Sequence, residues 1–360
     1  MKFFVDPAWR RALPHIPLLY PVWGNAASEM HPFQRALFET YEFDTNYYSL
    51  VADINDADML LMPYSYNIAT QWAPDVITLC AEASRVSGKP ILIDGSGDIE
   101  RPITIPNSIV LRYGGYRSEK KANEITIPLF ADDLLERYCA GELRLLEKKL
   151  KPTVGFSGWA TLSSWQTMRA LVKELPTRIH GLWDGRFRAH KKGIFFRQQA
   201  LRVLSNSPRV GTSFVARSSY SGHLDTASAS AEALQREFVD NLIETDYALD
   251  VRGDANNSIR LFEILSLGCI PLVVDTERNF PFSDILDYSS FACIVDFRDI
   301  EKLPEKLMEF HATLTPEKYV EMQRRARAAY QDYFRVDALT PHLIAAVKQK
   351  LSTIATGGTK

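Results

Sequence analysis

The sequence predicts an α/β protein built from two doubly wound parallel sheets. Three observations carry this expectation. Short apolar runs bounded by turn residues alternate with segments of helical period. The same alternation restarts at "KPTVGFSGWATLSSWQTMRALVKEL" with a strand, a Gly/Ser turn and a helix, which is how a second such domain opens. The length of 360 residues allows one large core or two of ordinary size, and two domains are the starting expectation. The expected division is a first domain over 1–150, a second over 151–345, and a helix end with a frayed tail over 346–360.

In chain order, the strand candidates of the first half are "KFFV", "DMLLMP", "PILID", "SIVLRY" and "EITIPLF". Between them "PFQRALFETY" and "VITLCAEASRVSG" have helical period, the second closed by Gly88 ahead of Pro90. The leucine-, glutamate- and lysine-rich stretch "ADDLLERYCAGELRLLEKKL" predicts one long helix closing the first domain near Leu150. In the second half "GIFFRQQALRVLSN" and "SAEALQREFVDNLIE" read as helices. "TSFVA", "YALDV", "CIPLVV" and "FACIV" read as strands, and the tail from Glu301 to about Leu351 reads as helical.

Composition narrows the function. A formal net charge of −2 and a pI near 6.4 give no basic excess of the kind a general nucleic-acid binder needs, so a bound anion must be held by local charge. Cys80, Cys139, Cys269 and Cys293 are widely spaced and form no metal-binding pattern, which predicts free thiols and no structural zinc. The opening "MKFFVDPAWRRALPHIPLLYPVWG" lacks a long apolar run. Nothing elsewhere reaches bilayer length. A cytoplasmic protein is expected, with contact at the inner face of the membrane left open. Trp9, Arg10, Arg11 and Trp23 stand as residues that either meet a lipid-linked partner or pack into the core.

The stretch "DVRGDANNSIRLFEILSLGCIPLVVD" reads as strand end, loop, helix and next strand. Asn257 or Ser258 is placed to cap the helix, whose free N–H groups favour an anion, and Arg252 stands just before it. Arg260, Glu263 and Ser266 form a polar stripe on an otherwise apolar helix. Two readings stand. One is an i,i+3 ion pair on a solvent-facing edge, which adds only tenths of a kcal/mol, roughly 0.2–0.5. The other is a ligand-facing stripe, with Glu263 accepting from ribose hydroxyls and Arg260 and Arg252 neutralising a diphosphate.

Residues 250–295, "DVRGDANNSIRLFEILSLGCIPLVVDTERNFPFSDILDYSSFACIV", resemble the exostosin-like glycosyltransferases. That family's pattern runs from a "CPRGD" loop through "RLfEAlaaGCIPVi" and an "LPFe" turn to "vLDWssf". In the first half "INDADMLLMPYSY", "GSGD" and "EITIPLF" are similar to its "ADlFfVPfy", Gly-x-Asp-His and "DvvIPyp" elements, with Ile99 standing where the histidine belongs. The resemblance implies a GT-B architecture, in which an N-terminal acceptor-binding domain faces a C-terminal domain that holds a nucleotide sugar. It also implies an inverting hexosyl- or glycuronosyltransferase (EC 2.4 type), a UDP-linked donor, no metal cofactor, and a saccharide or lipid-linked saccharide acceptor. The family's eukaryotic anchor and secretory disulfides have no counterpart here. Surface polysaccharide or lipopolysaccharide synthesis is therefore the expected setting. The alternatives kept are a GDP-sugar, fucosyl-type transferase and a non-catalytic nucleotide- or sugar-binding protein of the same fold.

Inverting transfer needs a base for the acceptor hydroxyl and positive charge for the departing diphosphate. The donor candidates are Arg252, Asn257, Ser258, Arg260 and Glu263. Gly155, Ser157 and Gly158 join them as a turn that either faces phosphate or is purely structural, and Arg197 as a cation that either faces the diphosphate or is simply solvated. His180 and Arg186 stand between pocket lining and ordinary solvation. Candidates for the base are Asp98, Glu29 and His31. Tyr64, Asn67 and Asp94 are candidates for the acceptor side, with Tyr66 beside them; Tyr64, Tyr66 and Asn67 equally suit packing at the interdomain edge.

Overall fold

The computed structural model describes residues 1–24, 37–97, 101–217 and 231–357. Its first sheet contains β1 (Lys2–Phe4), β2 (Ser49–Val51), β3 (Met59–Leu61), β4 (Ile91–Asp94), β5 (Ser108–Arg112) and β6 (Glu124–Thr126), in the order β2-β1-β3-β4-β5-β6. The second contains β7 (Thr153–Trp159), β8 (Gly211–Arg217), β9 (Tyr247–Val251), β10 (Pro271–Asp275) and β11 (Cys293–Asp296), in the order β11-β10-β9-β7-β8. Every pairing in both sheets is parallel. Both are therefore Rossmann-like, each with its third strand beside its first. The order reverses between β1 and β3 in one sheet and between β7 and β9 in the other. In open parallel sheets the crevice at the carboxyl ends of those two strands is where ligands bind.

The two carboxyl edges meet. Residues 113–119, which follow β5, touch the segments that follow β9 and β10. Asn256 Nδ2 donates to Gly115 O (3.2 Å), Asn279 N donates to the same oxygen (3.1 Å), and Arg117 N donates to Glu277 O (2.8 Å). Arg117 also pairs with Asp275 at 2.8 Å, and Tyr116 and Arg278 form an isolated antiparallel bridge. Gly114 lies so close that a Cβ there would sit 2.7 Å from Asn256 O.

The expected long helix over 131–150 is not formed. Only Leu134–Cys139 is helical, because Ala140 and Gly141 both take positive φ (52° and 75°) and turn the chain out. Tertiary partners override propensity beyond that point. Gln323 holds both backbone groups of Leu146, accepting from its N–H (2.8 Å) and donating to its carbonyl (2.9 Å), and His311 Nε2 meets Lys149 O at 2.7 Å. The chain becomes a strap joining the two sheets. A second difference from the sequence pattern is β2, a three-residue edge strand too short to leave a periodic signal.

The last helix, Val336–Gly357, follows the second sheet in sequence but packs with the first. Leu339, Leu343 and Val347 share one buried cluster with Phe3, Leu60 and Leu111. Thr340 Oγ1 accepts from Asp44 N (2.9 Å), and Lys350 Nζ donates to Ala122 O (2.6 Å). Leu261, Phe262 and Leu265 of the helix Ile259–Ser266 enter the same cluster, so the two domains share apolar packing. Cys80, Cys139, Cys269 and Cys293 are all free thiols.

A bidentate buried pair fixes the return of the tail. Arg327 Nη1 and Nη2 donate to Asp133 Oδ1 (2.6 Å) and Oδ2 (2.9 Å), both side chains being almost fully buried. Removing the arginine strands a buried carboxylate. Arg327→Ala is expected to lower the free energy of unfolding in urea by about 3–5 kcal/mol. A loss below roughly 0.5 kcal/mol would show that the pair does not hold the tail.

Candidate functional site

The β7/β9 crevice is built by three arginines and one aromatic ring. Phe156, fully buried in β7, lies under two guanidinium groups, Arg260 at 4.6 Å and Arg197 at 5.7 Å from its centroid. Arg197, on the helix Gly193–Ser205, donates to Trp159 O (2.5 Å) and to Val251 O and Arg252 O (both 3.2 Å). It thereby closes the carboxyl ends of β7 and β9 onto each other. Arg252 is almost completely buried and donates to the carbonyls of Asp254 (2.9 Å), Ala189 (3.0 Å), Gly253 (3.3 Å) and Lys191. Both were expected to face a diphosphate. Instead they bind strand-end and loop carbonyls, because a carbonyl cluster at a parallel sheet's carboxyl edge is itself a strong acceptor for a buried guanidinium.

Gly155, Ser157 and Gly158 were expected in a turn and are found inside β7, whose seven residues pair along their whole length with β8. Gly158 has φ +148°, and a Cβ there would lie 2.5 Å from Arg260 Nη2, so the glycine makes room for that guanidinium. Arg260 Nη2 donates to Ser157 O at 3.0 Å.

Ser258 precedes the helix Ile259–Ser266 but does not cap it. Its hydroxyl donates to Asp250 Oδ1 (2.6 Å), and no side chain closes the first turn. Asn257 offers only its carbonyl, to Gly253 N at 3.3 Å, among its hydrogen bonds within the described residues. Asp250 is fully buried at the end of β9 and pairs with Arg278 at 2.7 Å, an ion pair that sequence reading did not single out. Its signal was present as a cluster of charges, "DTERN", directly after a buried strand.

The polar stripe is not a solvent-edge ion pair. Ser266 is fully buried, its hydroxyl donating to Glu263 O (2.8 Å), and Arg260 and Glu263 are each half-buried without an ion pair between them. The Glu263 carboxylate receives no hydrogen bond from any described residue. Burial pushes its pKa up to about 7, with the nearby Asp250 and Asp132 acting in the same direction and Arg260 opposing them. An unused, half-buried carboxyl one turn along from an arginine can accept hydrogen bonds from a pair of hydroxyl groups.

On the facing edge, Asp94 ends β4. Its Oδ1 accepts from Ser96 N at 2.9 Å, and burial raises its pKa against the opposing effects of Ser96 and Arg112. Asn67 Nδ2 donates to Ser96 O (3.2 Å) beside it. Tyr64, expected on the acceptor side, is fully buried. Its hydroxyl accepts from Arg11 N and donates to Arg11 O (3.0 Å), so the chain between β1 and β2 plugs the first sheet's own crevice. Between the sheets, the Tyr116 ring stacks on His190 (3.8 Å, 7°), and Glu119 lies 3.4 Å from His190 Nε2. His180 and Arg186 are exposed, the histidine against Pro176 O (2.9 Å) and the arginine paired with Asp184 (2.6 Å). Glu29, His31 and Asp98 lie outside the described residues. Among the described residues no three His, Cys, Asp or Glu side chains are grouped to hold a metal ion. A cavity of about 250 Å³ lined by Cys139, Leu267, Cys269 and Gln323 lies at the opposite, amino-terminal edge of the second sheet, away from these residues.

Residues 158–310 match the family model of the exostosin GT47 domain. That span begins inside β7 and takes in the crevice, Arg252, Arg260, Glu263 and Arg278. The chain is 28% identical over 116 residues to an exostosin-1 homolog of Caenorhabditis elegans, covering 32% of this chain and 29% of that protein. It is 27% identical over 110 residues to a probable arabinosyltransferase of Arabidopsis thaliana, covering 30% and 24%. It is 29% identical over 97 residues to human exostosin-2, covering 26% and 12%. The aligned stretch thus spans less than a third of each of these relatives. A crystal structure of a glycosyltransferase from Rickettsia africae overlays with a TM-score of 0.36 at 11% identity, over 82% of this chain and 78% of that one.

The raised pKa of Glu263 has a consequence for stability. With a folded pKa of about 7 against an ordinary 4.5, the folded protein binds more protons than the unfolded chain between those values. The contribution of Glu263 to stability is therefore fully present below about pH 4.5 and is lost as pH rises through 7. In urea unfolding at pH 5 and pH 8, Glu263→Gln is expected to gain on the order of 2 kcal/mol relative to wild type across that interval. An equal difference at both pH values would show that Glu263 titrates normally.

Proposed function

We propose that this protein is an inverting glycosyltransferase that moves a sugar from a UDP-linked donor to a saccharide acceptor in surface-glycan synthesis, without a metal cofactor. The observation that carries this reading is Glu263. It is a half-buried carboxyl without a hydrogen-bond donor among the described residues, one turn from Arg260, at the carboxyl-edge crevice of the sheet and inside the span that matches the exostosin GT47 domain. In this reading Glu263 accepts from the ribose hydroxyls of the donor. Arg260 and the uncapped first turn of the 259–266 helix face the diphosphate.

The reaction asks two things of the protein. A base in the first domain removes the acceptor hydroxyl proton while that oxygen attacks the anomeric carbon from the side opposite the leaving group, inverting the centre. Positive charge stabilises the nucleoside diphosphate as it departs. Arg260 already rests on the Phe156 ring and a strand carbonyl, so it is held in place before a donor arrives. Asp94, at the facing carboxyl edge, is placed on the acceptor side.

Calorimetry with UDP and with GDP, in buffer containing a chelator, tests the donor assignment. Wild type is expected to bind UDP at least tenfold more tightly than GDP, and Glu263→Ala and Arg260→Ala are each expected to weaken UDP binding at least tenfold. Preference for GDP would replace the donor with a GDP-sugar, and indifference to both substitutions would remove the nucleotide from this crevice.

A further inference from the structure

The helix Ser164–Trp183 leaves the second domain with one face unpartnered. Trp165, Met168, Val172, Leu175, Ile179 and Leu182 recur at alternating spacings of three and four, and each is between 49 and 78% exposed. Trp183, at the end of the stripe, is 88% exposed. Side chains of this size are ordinarily solvent-facing only singly, whereas here they form a continuous row along twenty residues, about 30 Å. The protein grips the helix by a narrow opposite line of Ala170, Glu174 and Gly181. Glu174 accepts from Lys192 N, Arg188 Nε donates to Gly181 O (3.0 Å), and a capping box of Ser163 and Gln166 fixes the start.

Charge decides what fits this face. Glu174, the acid within the helix, is turned inward, and Asp184 at its end is paired with Arg186. Arg169 and Lys173 are exposed, with no acidic partner among the described residues. The described positions flanking the stripe carry Ser164, Arg169, Leu171 and Pro176, with no acid among them. Two copies of the helix would therefore set like charges side by side and have no opposite charges to fix their register. An apolar row with tryptophan at both ends and only cationic charge beside it is complementary to an anionic lipid surface.

We propose that the 164–183 helix lies in the interface of an anionic phospholipid membrane, its apolar stripe among the acyl chains and Arg169 and Lys173 at the headgroups. No described helix is long and apolar enough to cross a membrane. The N-terminal aromatic and basic residues do not supply this surface. Trp9 is buried, Arg11 pairs with Asp75 at 2.6 Å, and Arg10 lies over Trp23 at 5.0 Å. The helix starts four residues beyond the carboxyl end of β7, so the membrane would lie beside the edge that holds Arg260 and Glu263. The inference stands whether or not the protein transfers sugar.

Vesicle flotation of the full chain tests it, comparing phosphatidylcholine alone with phosphatidylcholine containing about 30% phosphatidylglycerol, at about 0.05 M and 0.5 M salt. Wild type is expected to float with the anionic vesicles at low salt, at least tenfold more than with neutral ones. The double variant Val172→Glu/Leu175→Glu is expected to lose at least tenfold of that binding with an unchanged unfolding midpoint, since both residues are exposed. Arg169→Glu/Lys173→Glu is expected to lose the preference for anionic lipid. Failure of wild type to float, or flotation retained by both double variants, overturns the proposal. A dimer in light scattering that Val172→Glu/Leu175→Glu splits, without lipid binding by wild type, would assign the stripe to a second copy instead.

Discussion

The buried pair of Asp250 and Arg278 organises the functional half of the molecule. At 2.7 Å and with almost no solvent, each charge depends on the other, and losing one partner of such a pair costs roughly 3–5 kcal/mol. Asp250 also holds the Ser258 hydroxyl, which sets where the 259–266 helix begins and hence where Arg260 and Glu263 project. The backbone of Arg278 forms the bridge to Tyr116, and its neighbour Asn279 donates to Gly115 O (3.1 Å). One ion pair thus fixes both the 259–266 helix and the seam with the first domain.

Around it the arginines divide into two kinds. Arg197 and Arg252 donate to backbone carbonyls at the strand ends, which ties β7, β9 and the 185–191 segment together. Arg260 uses one strand carbonyl and an aromatic face, and lies beside a carboxyl that accepts no hydrogen bond from any described residue. The electrostatic cost of Glu263, pushed up to about 7 by burial, is the kind of local conflict that folded proteins retain where a ligand resolves it.

Much of the architecture was legible because buried parallel strands leave continuous apolar runs and amphipathic helices leave a period. "YALDV" is β9 residue for residue, and the Arg260–Glu263 stripe was visible as polar positions in an apolar helix. What the sequence hid were interactions between distant segments. Nothing local marks Arg252 and Arg197 as carbonyl clamps, since a guanidinium aimed at phosphate and one aimed at a strand end look alike. The strap at 140–152 was hidden because helix-forming residues were overruled by Gln323 and His311, more than 150 positions away. The row on the 164–183 helix is written in the sequence as "WQTMRALVKEL", but only the structure shows that these side chains are exposed among the described residues.

A crystal structure of the protein with UDP decides whether the crevice between β7 and β9 holds a donor nucleotide, as proposed. The expected result is ribose hydroxyls within hydrogen-bond distance of the Glu263 carboxylate and the diphosphate between Arg260 and the start of the 259–266 helix. A nucleotide lodged elsewhere, for example in the cavity at the amino-terminal edge beside Cys139 and Cys269, with Glu263 untouched, would contradict it.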